Sequence, residues 1–142
     1  MNEVIVIGNG IAGITAARHI RKLSDCKITV ISGETDYFFS RTALMYVYMG
    51  HLKMEHTQPY ENTFWTKNKL DLKKAWVKKI LPDEQKIELE NGEQMPYSSL
   101  ILATGSRFNK FGWKGQDLKG VGGLFSYQDL QKMEEYTQNI NK

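Results

Sequence analysis

Residues 4–20 read VIVIGNGIAGITAARHI, and the fold turns on how this stretch is understood. Residues 3–7 predict a short strand, apolar enough to be buried on both faces of a parallel sheet. Gly8, Gly10 and Gly13 follow at the spacing GxGxxG. From Ile11 to Leu23, the residues Ile11, Ile14, Ala17, Ile20 and Leu23 recur near helical spacing, with Arg18, Arg21 and Lys22 on other faces. Lys27–Ser32, KITVIS, is a second β-rich run. Strand, helix and strand within about thirty residues make a βαβ unit.

In that setting the glycines have mechanical tasks. Gly8 lets the chain turn sharply off the strand end. Gly10, lacking a Cβ, lets a pyrophosphate approach the backbone. Gly13 lets the helix pack tightly on the strand. The amides near Ile11 and Ala12 have no intrahelical partner and point where an anion would lie. An acidic residue at the end of the second strand should grip an adenosine ribose. The usual position falls on Ser32, and the carboxylate comes two residues later as Glu34, with Ser32 and Gly33 lining the site.

Farther along, Arg41–Met49 and residues 60–69 predict two more helices. The period then changes to two. Ala75–Leu81, Lys86–Glu90 and Glu93–Pro96 predict strands, and Asn91-Gly92 marks a tight hairpin between the last two. Leu100–Ala103, LILA, is a fully apolar strand closed by Thr104-Gly105. Residues 107–125, rich in glycine and aromatics, predict an extended connection. Ser126 and Asp129 have capping-box spacing and open a last helix reaching about Ile140.

At 142 residues and a net charge of +3, the composition is that of one ordinary globular domain. The first apolar run ends at a glycine after four residues, so no secretory leader is expected. No stretch is long enough to cross a bilayer. The lone Cys26 rules out an internal disulfide and fits a reducing, cytoplasmic setting. Six lysines crowd into Lys67–Lys79 with only Trp76 among them, which predicts a solvated surface and no nucleic-acid site. His51 and His56 are spaced to face different sides of a helix, so no metal pair is expected.

Two motifs about ninety residues apart, VIVIGNGIAG and LILATGS, with a three-stranded meander between them, resemble the N-terminal FAD-binding part of the pyridine nucleotide–disulfide oxidoreductase superfamily. The resemblance is strongest to its rubredoxin-reductase-like and nitrite-reductase-like branch. Glu34–Leu44, ETDYFFSRTAL, is a third match, because this branch places an arginine seven residues after the acid. Residues 114–130, KGQDLKGVGGLFSYQDL, resemble the stretch leading towards an NAD(P)H domain.

The resemblance implies an α/β, Rossmann-like FAD/NAD(P)-binding fold: a parallel sheet with helices and a three-stranded β-meander, here incomplete. It implies that Gly8, Gly10, Ile11, Ala12 and Gly13 hold the FAD pyrophosphate and that Glu34 takes the adenosine ribose. Arg41 would meet the pyrophosphate or the flavin side, and the backbone at Val77 would face the adenine. Ala103, Thr104 and Gly105 would close the site. It also implies NAD(P)H as electron donor to the full-length protein and a redox partner protein as one possible acceptor.

Departures narrow the chemistry. No CxxxxC pair follows the second strand, which excludes dithiol reduction like that of glutathione or lipoamide reductases. Arg41 stands where peroxidase-like relatives place a redox cysteine, and Cys26 lies at the wrong end of its strand, so it is expected to be inert. Tyr46 stands where rubredoxin-reductase-like relatives often carry lysine. Neither a second glycine fingerprint nor the returning Gly-Asp motif occurs in these residues. Residues 1–142 are therefore expected to form the first segment of a discontinuous FAD domain, inactive alone, with 105–142 connecting towards an NAD(P)H domain. Two other readings stay open: a stand-alone module for NAD(P) or another adenine nucleotide, and a non-catalytic interaction domain.

Overall fold

The β-branched run EVIVI forms β1, Glu3–Ile7, and leads through the glycine turn into α1, Ile11–Leu23, and then β2, Lys27–Ser32. The computed structural model describes residues 2–138 and 140. They divide into two compact units, one made of Met1–Phe39 with Pro59–Gly105, the other of Ser40–Gln58 with Ser106–Lys142.

The first unit carries α3, Asn62–Lys67; β3, Asp71–Lys74; β4, Val77–Leu81; β5, Lys86–Leu89; β6, Gln94–Pro96; and β7, Ser99–Leu102. Four strands make a parallel sheet in the order β3-β2-β1-β7, and β4-β5-β6 form a separate antiparallel sheet. The two faces of the parallel sheet bury different partners. Val6, Ile28 and Val30 join Ile14 and Ala17 of α1, with Phe38, Trp65 and Leu70. Ile5 and Ile31 join Ile87 and Leu89 of the meander. Strands buried this way need apolar side chains at successive positions, which is why β1 and β2 do not alternate. Each fully buried isoleucine contributes about 1.5–3 kcal/mol.

Strand β3 is absent from the sequence expectations. It has four residues, DLKK, and is a strand because it pairs with β2, Thr29 to Asp71 through Ser32 to Lys74. The helix expected over 60–69 spans only Asn62–Lys67 and is closed by Lys69 in a left-handed conformation, φ 51°. Arg18 of α1 donates to the Tyr60 hydroxyl at 2.8 Å and lies over that ring. Arg21 donates to the carbonyls of Ser24, Cys26, Asn68 and Lys69, fixing the exit of α1.

The second unit carries α2, Leu44–Tyr48, and α4, Tyr127–Thr137. Arg41–Ala43 is a single tighter 3₁₀ turn ahead of α2, so the helix expected over Arg41–Met49 is shorter than its pattern predicts. No strand or helix forms from Ala103 to Ser126, and Gly105, Gly112, Gly115 and Gly120 there take positive φ, which neither element tolerates.

Helix α4 opens with a reciprocal cap. The Asp129 amide donates to the Ser126 hydroxyl at 3.1 Å, and Asp129 Oδ2 accepts from the amides of Ser126 at 2.7 Å and Phe125 at 3.2 Å. Burial works to raise the Asp129 pKa, but these bonds outweigh it and hold the carboxyl below its usual value. A depressed folded pKa stabilises above the unfolded value near 4 and is lost as pH falls through the folded one. Asp129→Ala is expected to cost about 1 kcal/mol at neutral pH. Urea titrations should show that cost shrinking as pH falls from the unfolded value near 4 towards the lower folded one, because the unfolded chain takes up this proton first.

Candidate nucleotide site

The carboxyl ends of the parallel strands come level at one edge of the first unit. Ile7 pairs with Ile31 on one side and with Leu102 on the other, and Ser32 pairs with Lys74. The Gly8 amide donates to the Ile31 carbonyl at 2.8 Å, the Ala103 amide to the Ile7 carbonyl at 2.8 Å, and the Ala75 amide to the Ser32 carbonyl at 3.0 Å. Strand β1 lies between β2, its successor through α1, and β7, which arrives much later in the chain. Such a switch of direction leaves a crevice beyond the strand ends, where α/β sheets bind ligands.

The three glycines of the turn differ in what they do. Gly8 has φ +109°, and a Cβ there would lie 2.1 Å from the Ala103 carbonyl oxygen. At Gly13 a Cβ would lie 1.9 Å from the Gly8 carbonyl oxygen and 3.2 Å from Val6 Cγ1. These two glycines let strand, turn and helix close upon one another. Gly10 is different. Its φ of −73° suits any residue, and a Cβ there would meet nothing within 4 Å.

Gly10 also occupies the N-cap of α1 without a side-chain hydrogen bond, and no acidic residue stands in the first turn. Serine, asparagine or aspartate would cap the helix better, by a few tenths of a kcal/mol. The first turn is therefore left uncapped and uncharged. Ile11 and Ala12 are both exposed, Ile11 by 69% despite its apolar side chain. An open helix N-terminus with its backbone uncovered fits a phosphate group. The residues present fit a dinucleotide pyrophosphate.

The loop after β2 is held in shape by Asn9, a residue to which the glycine motif assigns no identity. Asn9 is 5% exposed, and its Nδ2 donates to the Thr35 carbonyl at 3.0 Å. The Thr35 hydroxyl donates to the Tyr37 carbonyl at 2.8 Å, and the Glu34 amide to the Ser32 hydroxyl at 3.2 Å. Glu34 thus stands on a loop tied at both flanks, and Asn9 joins that loop to the glycine turn. A short polar residue, buried inside a glycine motif, was the available signal.

Val77 starts β4, opposite Leu89, just after the chain leaves β3. Ala103, Thr104 and Gly105 follow β7 at the same edge. The structure thus brings together Gly8, Gly10, Ile11, Ala12, Gly13, Ser32, Gly33, Glu34, Ala103 and the start of β4, all within the first unit. Arg41 belongs to the second unit, where its guanidinium donates to the Phe125 carbonyl at 2.6 Å and lies 4.6 Å from that ring's centre. Among the described residues, no three His, Cys, Asp or Glu side chains gather as a metal site. None of their helices is long and apolar enough to cross a membrane.

Residues 2–140 match the family model described as pyridine nucleotide-disulphide oxidoreductase. This chain belongs to that family. The family's Rossmann-like architecture accounts for the β3-β2-β1-β7 order and the glycine turn at its edge. The chain is 30% identical over 141 residues to the rubredoxin-NAD(+) reductase of Acinetobacter baylyi, covering 93% of this chain and 36% of that protein. It is 32% identical over 116 residues to the sulfide-quinone reductase of Aquifex aeolicus, covering 81% and 26%. The crystal structure of NADH:rubredoxin oxidoreductase from Clostridium acetobutylicum superposes with a TM-score of 0.80 at 25% identity, over 96% of this chain and 36% of that one. The chain spans from about a quarter to just over a third of the length of these relatives.

Proposed function

We propose that this chain binds FAD, through the glycine turn and Glu34, as the N-terminal part of an NAD(P)H-dependent flavoprotein oxidoreductase. The observation that carries the reading is Gly10: neither its backbone angles nor its packing requires a glycine, and the helix terminus beside it lacks a cap. The family match, together with relatives named as a rubredoxin-NAD(+) reductase and a sulfide-quinone reductase, supports a redox use for the nucleotide.

Bound FAD would supply the redox chemistry, taking a hydride from the nicotinamide and passing electrons to an acceptor. The residues of this chain do the placing. The amides near Ile11 and Ala12 hold the pyrophosphate at the positive end of α1. The Glu34 carboxylate accepts from the ribose hydroxyls. Thr104 and Gly105 close the edge beside the turn. The acceptor we propose is a small redox protein of the rubredoxin or ferredoxin type, as the names of several relatives indicate.

Titrating FAD into the purified chain tests the reading. Saturable binding at one site per chain, with a shifted flavin absorption spectrum, is the expected result. A charged hydrogen bond contributes about 1.5–3 kcal/mol, so Glu34→Gln should weaken FAD at least about tenfold. Stabilisation by NAD with none by FAD would overturn the assignment in favour of a nicotinamide-nucleotide module. No response to either nucleotide would leave the chain as an interaction domain.

A further inference from the structure

Gly33 is a second glycine that its own backbone does not require, since it lies outside the left-handed region. What requires it is Trp76. A Cβ on Gly33 would lie 2.0 Å from Cδ2 of that indole, 2.2 Å from Cε2 and 2.5 Å from Cγ. The indole therefore rests directly on the Gly33 backbone, and only a residue without a side chain can seat it. Yet Trp76 is 54% exposed, so one large aromatic surface is fixed in place and left open. Its backbone is fixed as well. The neighbouring Ala75 amide donates to the Ser32 carbonyl at 3.0 Å, and the Trp76 carbonyl accepts from the Glu90 amide at 3.0 Å.

Burying an aromatic of this size stabilises a protein, and leaving half of it in water forgoes much of that gain. A rigid, half-open indole beside a nucleotide crevice is instead suited to stacking on a base. Its position gives the base. It touches Gly33, the residue before Glu34, and precedes Val77 at the start of β4, so it stands at the adenosine end of the crevice rather than the flavin end.

We propose that the Trp76 indole, seated on Gly33, is the stacking wall for the adenine of the bound dinucleotide, a proposal that rests on the FAD reading above. Trp76 and Gly33 then work as a pair. The glycine sets the height of the indole, and the indole gives the site its affinity for a purine while the glycine turn holds the phosphates. Trp76 is a residue that sets ligand preference, and it takes no part in hydride transfer.

The test uses ADP and FAD as probes, with flavin mononucleotide as the adenine-free control, by calorimetry on the whole chain. Base stacking on an aromatic predicts that Trp76→Ala weakens both ADP and FAD about 10- to 100-fold, with Trp76→Phe recovering most of the loss. Gly33→Ala, which displaces the indole, should weaken ADP in the same direction. Binding of flavin mononucleotide should be unchanged in all three. ADP should quench tryptophan emission in the wild type and leave that of Trp76→Phe unaltered, with far-ultraviolet circular dichroism checking that each variant is folded. If a folded Trp76→Ala binds ADP and FAD as the wild type does, the stacking wall is overturned and the FAD reading stands. If the wild type binds neither probe, the FAD reading fails and this proposal falls with it.

Discussion

Replacing Gly8 by alanine is expected to unfold the first unit or to cost it at least about 3 kcal/mol, measured by urea titration. Two effects add. The φ of +109° is strained for any residue with a Cβ, and that Cβ would lie 2.1 Å from the Ala103 carbonyl oxygen. The obstacle is backbone at the end of β7, and the Ala103 amide is already bonded to Ile7. Neither side can yield without opening the β1–β7 ladder. Gly13→Ala should be comparably severe, because its Cβ would meet the Gly8 carbonyl oxygen at 1.9 Å. Gly50 supplies the control. It too has a positive φ, +77°, but open space around it, so Gly50→Ala should cost only about 1–2 kcal/mol. Similar losses at Gly8 and Gly50 would mean that the close approach to β7 contributes nothing.

Gly10→Ala is expected to do the opposite, leaving the fold nearly intact and removing the ligand. Nothing in the protein meets the new methyl, and alanine adopts φ −73° freely, so the stability loss should stay below about 1 kcal/mol. The methyl would occupy the space through which a pyrophosphate reaches the backbone amides. FAD affinity should fall at least tenfold, or about 1.4 kcal/mol. Calorimetry for binding and a thermal melt for stability separate the two. A variant that keeps its FAD affinity would show that the turn is structural throughout and that Gly10 faces no phosphate.

Legibility in the sequence followed locality. The bounds of β1, α1 and β2 could be read because an apolar run, a helical period and a glycine turn all act within a few residues. Strand β3 could not. Its DLKK carries two lysines and no period, and it is a strand only through pairing with β2, some forty residues earlier. The meander was legible in type and nearly in bounds, because Asn91-Gly92 fixes the turn between its last two strands. Within the site, Gly8, Gly10 and Gly13 announced themselves through spacing. Asn9 sat in a position the motif leaves open, and its worth lies in a hydrogen bond to a loop 26 residues away. Gly33 was noticed as lining, but the reason for it is an indole more than forty positions later, which no local pattern encodes. Arg41 was chosen by its distance from Glu34 along the chain, and the fold sets it in the other compact unit, against Phe125.

The pairing of Val4 with Ser99 through Ile7 with Leu102 bears on biosynthesis. Strand β1 leaves the ribosome early, but its second neighbour arrives about 95 residues afterwards, several seconds later at ordinary translation speed. Through that interval one flank of the most apolar strand has unmet amides and carbonyls, an invitation to intermolecular pairing. Chains truncated before Ser99 should therefore aggregate more readily than the chain that carries β7, as light scattering during expression would show.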